Sequence, residues 1–159
     1  MLSFRNGLIL VLVVGGLGWC AEGFNEAMDN PIVAASVAHL EPAQEDFAAR
    51  CENSMITLRE SQGKASDIRV RGVVRGSCRC AALNLAELET SDTDYAMLAE
   101  FTEAEATAVQ NGASNKDYER QLLLIAGRRG LGQASLDRQY AKLMGALKSC
   151  FGQADEEQS

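Results

Sequence analysis

Histidine is nearly missing from this chain. His39 is the only one, which excludes a multi-histidine metal site within one chain. A cysteine–histidine pair would require one thiol to stay reduced while an odd set remained. Positive charge is also short: Lys and Arg number 15 against 22 Asp and Glu, a formal net charge of −7. Nucleic acid is therefore disfavoured as a partner, because binding it calls for net positive charge or a broad basic face. No apolar run reaches the roughly 20 residues that a helix needs to cross hydrocarbon, so no stable transmembrane span is expected. Internal repeats, coiled-coil heptads and strand–helix alternation are absent, as are a serine-nucleophile signature and a multi-cysteine zinc spacing. No cofactor is expected.

What is present begins with a leader. Arg5 precedes an apolar run from Leu8 to about Leu17, which ends in small residues, the three-part layout of a secretory signal. Cleavage after Gly23 would place Ala21 and Gly23 at the positions that prefer small side chains, making residues 1–23 a signal peptide. A signal-anchored form and a form acylated at Cys20 compete with this reading. Bulky Trp19, immediately before Cys20, speaks against acylation. The expected location is the periplasm or the exterior.

Four cysteines follow the leader: Cys51, Cys78, Cys80 and Cys150. In an oxidising compartment an even number points to two disulfides. Cys78 and Cys80 are too close for an unstrained bridge within a helix, which leaves Cys51–Cys78 with Cys80–Cys150, or Cys51–Cys80 with Cys78–Cys150. Two residues turn about 200° around a helix, so only Cys78 shares the apolar stripe of its segment. Cys51 lies on the apolar face of its own helix, and that phase favours the first pairing.

The rest of the chain reads as an all-α, compact, disulfide-linked bundle of about four main helices with a short N-terminal element. Residues 24–42 form a lead-in, residues 43–152 the helical domain and residues 153–159 an acidic tail. Phe47, Cys51, Met55 and Leu58 recur at helical spacing, as do Val70, Val74, Cys78, Ala81, Leu85 and Leu88. Ser66 or Asp67 can cap the second of these helices, although the alternation in Ile68-Arg69-Val70-Arg71 offers a strand as a competing reading. Gly72 and Gly76 weaken helix here but permit close approach of a neighbour. Thr93 is expected to cap a helix from Asp94 to about Gln110. Further helices are expected from about Lys116 to Arg128 and from near Ser135 to Cys150.

Chemistry is harder to find. Reduced Cys78 and Cys80 could exchange disulfides or bind a soft metal, with nearby arginines stabilising thiolate, but a CxC alone carries little specificity. Glu100 and Glu103 are spaced as solvated helix charges, and Asp92-Thr93-Asp94 lacks the rest of a calcium loop. Gly127, Gly130 and Gly132 with Arg128 and Arg129 follow a helix and lack a phosphate-loop ending. Arg69, Arg71, Arg75 and Arg79 form a local basic cluster, a candidate docking surface for an acidic envelope protein or an anionic surface. The leading expectation is thus a secreted, non-enzymatic interaction or accessory protein of the cell envelope. An envelope thiol–disulfide or metal-binding protein using Cys78 and Cys80, and a helical small-molecule binding domain, are the alternatives.

Overall fold

Helix starts and stops in the computed structural model, which describes residues 31–151, fall where the sequence supplies caps and turn residues. Six helices follow one another: α1 (Pro31–Val37), α2 (Pro42–Ser61), α3 (Ile68–Glu87), α4 (Asp92–Gln110), α5 (Asn115–Gly127) and α6 (Gln133–Phe151). The expected leader, the first part of the lead-in and the acidic tail lie outside the described residues. No helix among the described residues is long and apolar enough to cross a membrane.

Pro42 opens α2, where a missing amide costs nothing, and the Glu41 amide donates to Gln44 Oε1 at 3.0 Å. Asp67 caps α3 by accepting from the amides of Arg69 and Val70. That cap settles the segment 68–71 as helix and overturns the strand alternative, since two first-turn amides gain an acceptor that a strand would not use. At α4 the cap is Ser91, whose Oγ accepts from the Asp94 amide, so the helix begins two residues before the expected start. Ser114 and Asp117 bracket the first turn of α5 reciprocally.

Among the described residues five long helices follow the short α1, one more than the expected total of four, yet they match one by one the five segments that the apolar spacing marks out. Two glycine breaks separate the last three. Gly112 and Gly130 adopt positive φ, 60° and 69°, and each reverses the chain after a helix, with Ala113 and Leu131 donating back to carbonyls five residues earlier. This is the cap that glycine permits at low steric cost. The chain from α4 to α6 is thereby cut into three helices.

α2 lies against both α3 and α4, α3 also carries α1 and α6, and α5 leans on α4 and more lightly on α6. Phe47, Met55 and Leu58 of α2, Val74 and Leu85 of α3, Met97, Leu98 and Phe101 of α4, Leu122 of α5 and Leu143 and Leu147 of α6 are the large side chains fully enclosed. Fully burying a side chain of this size contributes about 1.5–3 kcal/mol. Phe47 meets Tyr95 edge to face at 5.9 Å, and the Tyr95 hydroxyl donates to the Ala82 carbonyl at 2.8 Å, satisfying the one polar atom of a buried ring. α1 reaches α3 at Gly76, where an added Cβ would stand 2.6 Å from Ile32 Cγ2 and 3.1 Å from its carbonyl oxygen.

Candidate functional site

The structure joins Cys51 to Cys78 and Cys80 to Cys150, with Cα separations of 5.8 and 6.0 Å. This is the pairing that helical phase favours: Cys78 looks across to α2, and Cys80, turned the other way, meets the end of α6. All four residues are buried. Asn84 Nδ2 donates to Ser149 Oγ at 2.7 Å and also lies 3.2 Å from Cys150 Sγ, closing a polar cover over the second bridge. A thiolate attacking either disulfide would have to displace packed side chains, so the geometry gives the redox alternative no open sulfur. Among the described residues no group of three or more His, Cys, Asp or Glu side chains could hold a metal ion, and His39 is exposed.

The basic cluster is differently placed from its sequence appearance. Arg71 pairs with Glu60 at 3.1 Å, Arg75 with Glu52 at 3.0 Å and Arg79 with Glu45 at 2.8 Å. An acidic stripe on α2 therefore lies along the basic stripe of α3, and the two largely neutralise each other. Arg71 Nε also donates to the Ser66 carbonyl. Arg79 does more: its Nε and Nη2 donate to the carbonyls of Ala35 and Ala38, at 3.1 and 2.6 Å. Ala35 lies in the last turn of α1 and Ala38 just past its end, where a cation meets carbonyl acceptors and the negative end of the helix dipole. Arg69 is exposed at the start of α3 and stands apart from these pairs. Sequence spacing brings the arginines onto one face, but it gives no sign that α2 presents carboxylates to them.

The glycine-rich turn after α5 is likewise internally occupied. Arg128 Nη2 donates to Glu100 Oε2 at 2.8 Å and Arg129 binds the other oxygen of the same carboxyl. Hydrogen bonding from Arg129, ahead of that from Arg128, holds the Glu100 carboxyl below its ordinary range. Glu103 takes both Arg50 Nε and Nη2 at 2.7 Å, a bidentate bridge from α4 to α2. Glu100 and Glu103 are thus interhelical ties.

An open feature among the described residues lies where α5 and α6 meet. Leu122, Leu123, Leu136 and Tyr140 line a small cavity of about 60 Å³, with Glu119 on α5 and Asp137 on α6 at its margin. Neither carboxylate is ion-paired among the described residues, although Asp137 accepts from Gln133 at 2.7 Å. Leu123 and its neighbour Leu124 are large apolar side chains left exposed, at 46% and 61%. Glu105 on α4 is only 7% exposed, and burial alone pushes its carboxyl up to about 7. Burial first, then the Glu105 charge, raises the phenols of Tyr118 on α5 and Tyr140 on α6, Tyr140 to about 12.

The reading of sequence alone misses the cleft and the buried Glu105. A signal for Glu105 was present, because it stands four residues after Phe101 and seven after Leu98, on the buried side of α4. For the cleft there was none, since it depends on how closely α5 and α6 approach. Compared with protein-family models, with curated proteins and with solved structures, the chain matches none of them.

Proposed function

We propose that this chain is an exported, non-catalytic helical binding domain that recognises its partner through the cleft between α5 and α6. The observation that carries the reading is the contrast in how chemical groups are occupied. The cysteines are buried in bridges and most of the arginine stripe is held by carboxylates, whereas the cleft keeps the exposed Leu123 beside two carboxylates, Glu119 and Asp137, that have no ion pair among the described residues. A cavity of about 60 Å³ is well below the roughly 300–1,000 Å³ of a cofactor or drug-sized site. It suits one short aliphatic side chain of a partner segment. Glu119 and Asp137 favour basic residues next to that side chain, by charge complementarity, and the chain's net charge of −7 acts in the same direction. This differs from the acidic partner expected on the arginine face. The leader and the two disulfides support work in an oxidising compartment such as the periplasm.

Photocrosslinking in the producing cell tests the reading, with the photoreactive residue placed at Leu123 in one protein and at Arg75 in another. A discrete adduct from position 123, mapping to a segment with aliphatic and basic residues, is expected. An adduct from position 75 alone would return recognition to the arginine face and overturn the proposal.

A further inference from the structure

A single aliphatic side chain turned to solvent at the start of a helix needs no explanation by itself. Ile68, which opens α3 and is 86% exposed, differs in its neighbours. Arg69 follows it, exposed, and Lys64 stands in the turn before the helix; neither belongs to an ion pair among the described residues. The one carboxylate between these cations, Asp67, is occupied by the cap, where it accepts from the amides of Arg69 and Val70. Val37 is as exposed, at 84%, but lacks such company: the arginine that reaches the end of α1, Arg79, is held by Glu45 and by the carbonyls of Ala35 and Ala38. The start of α3 is therefore a projecting aliphatic side chain beside two uncommitted cations. That is the chemistry the cleft between α5 and α6 favours.

The two features lie at opposite ends of one molecule. α6 runs back along α3, with Cys150 bonded to Cys80 and Lys142 Nζ donating to the carbonyl of Leu88, just past the end of α3. Followed further in the same direction, α6 brings Leu136, Asp137 and Tyr140 to the cleft near that end. Ile68 opens the other end of a 20-residue helix, about 30 Å away. A chain cannot place its own Ile68 in its own cleft. A second copy can.

We infer that the occupant of the cleft is a second copy of this chain, whose Ile68 enters beside Leu123, Leu136 and Tyr140 while its Arg69 and Lys64 face Glu119 and Asp137. This names the partner of the site proposed above and rests on that reading. The contact joins unlike surfaces, and every copy carries one of each. One aliphatic anchor with a few charges at its rim makes a small interface, so the association is weak, concentration-dependent and sensitive to salt.

Sedimentation velocity of the purified, oxidised chain, run from micromolar to millimolar concentration at low salt, tests the inference. The average mass of the wild-type chain is expected to rise with concentration and to fall back when salt is added. Ile68→Asp removes the anchor, and Leu123→Lys sets a cation in the cleft wall; both side chains are substantially exposed, so neither change threatens the core. Each variant alone should associate at least about 10-fold more weakly, because like charges then meet at the contact. Mixed in equal amounts, the two should form a one-to-one complex, since the first keeps an intact cleft and the second an intact Ile68. A general loss of stability gives no such recovery. A wild-type chain that stays monomeric throughout, or variants that fail to recover on mixing, sinks the inference. If that happens while a photoreactive residue at position 123 still captures a different protein through an aliphatic and basic segment, the self-contact falls and the cleft proposal stands; if position 123 captures nothing, both fall.

Discussion

Around α3 and around α5 the same bundle settles its polar groups in opposite ways. α3 is held on several sides: Cys78 ties it to α2, Cys80 to α6, and its arginines meet a row of carboxylates on α2. α5 has no covalent tie, rests beside a buried carboxyl without a counter-ion and leaves Leu123 and Leu124 uncovered. Long bridges restrict the unfolded chain as well as joining the folded one, so the α3 side resists opening by two routes. The α5 side relies on apolar packing. Regions that move or bind are drawn from the less stable parts of a fold, and this difference is why recognition is placed at α5.

The strongest way to break the comparison is to remove the bridges. The residues joined are 27 apart in Cys51–Cys78 and 70 apart in Cys80–Cys150. Chain-entropy reasoning then gives losses of roughly 3.5 and 4.5 kcal/mol for the double alanine variants. Urea unfolding of Cys51→Ala/Cys78→Ala and of Cys80→Ala/Cys150→Ala checks both values. The second is expected to lose more, and to expose α6 amides before those of α2. If neither midpoint moved, packing alone would hold α3 and the contrast between the regions would collapse.

A smaller effect separates arginines that look equivalent in sequence. Arg79→Gln leaves the carbonyls at the end of α1 without their charged donor, a loss of about 1–3 kcal/mol for groups partly removed from water. Arg75 is largely solvent-facing and binds only Glu52, so Arg75→Gln should leave the unfolding midpoint where it is. Equal losses from both would mean that the α1 contact adds nothing. The expected sharpening is visible in exchange at α1, whose amides should lose protection only in the Arg79 variant.

Much of this fold is legible in the sequence, and the illegible parts share a cause. Stripes such as Phe47, Cys51, Met55 and Leu58 are local, since one helix turn determines which side chains share a face. Cap residues are local too, though neighbours compete: Thr93 and Ser91 both offer a hydroxyl, and only the chain direction before α4 selects Ser91. The disulfide pairing was legible because two residues on one helix must face apart. The arginine face was misleading because its meaning depends on Glu45, Glu52 and Glu60, which are placed opposite by the packing of a second helix. Glu105 lies between the two cases. Its position on the buried side of α4 was readable, but the absence of a cation from α2, α5 and α6 was a property of the assembled bundle.

The finest test uses two glycines on one turn pattern of α3. Gly72 and Gly76 are four residues apart and both helical, so intrinsic propensity treats them alike: replacing either with alanine should stabilise the helix by about 1 kcal/mol. Their surroundings differ. An added Cβ at Gly72 meets nothing within 4 Å, whereas at Gly76 it would stand 2.6 Å from Ile32 Cγ2 and close to the Ile32 carbonyl. A side-chain methyl can turn away, but the backbone oxygen can yield only if α1 shifts as a unit. Gly72→Ala should therefore raise the thermal midpoint by a few degrees, the change expected for about 1 kcal/mol in a domain of this size. Gly76→Ala should cancel or reverse that gain and lower protection in α1. Equal gains at both positions would show that α1 yields freely, leaving the disulfides and the α2 carboxylates as what distinguishes α3 from α5.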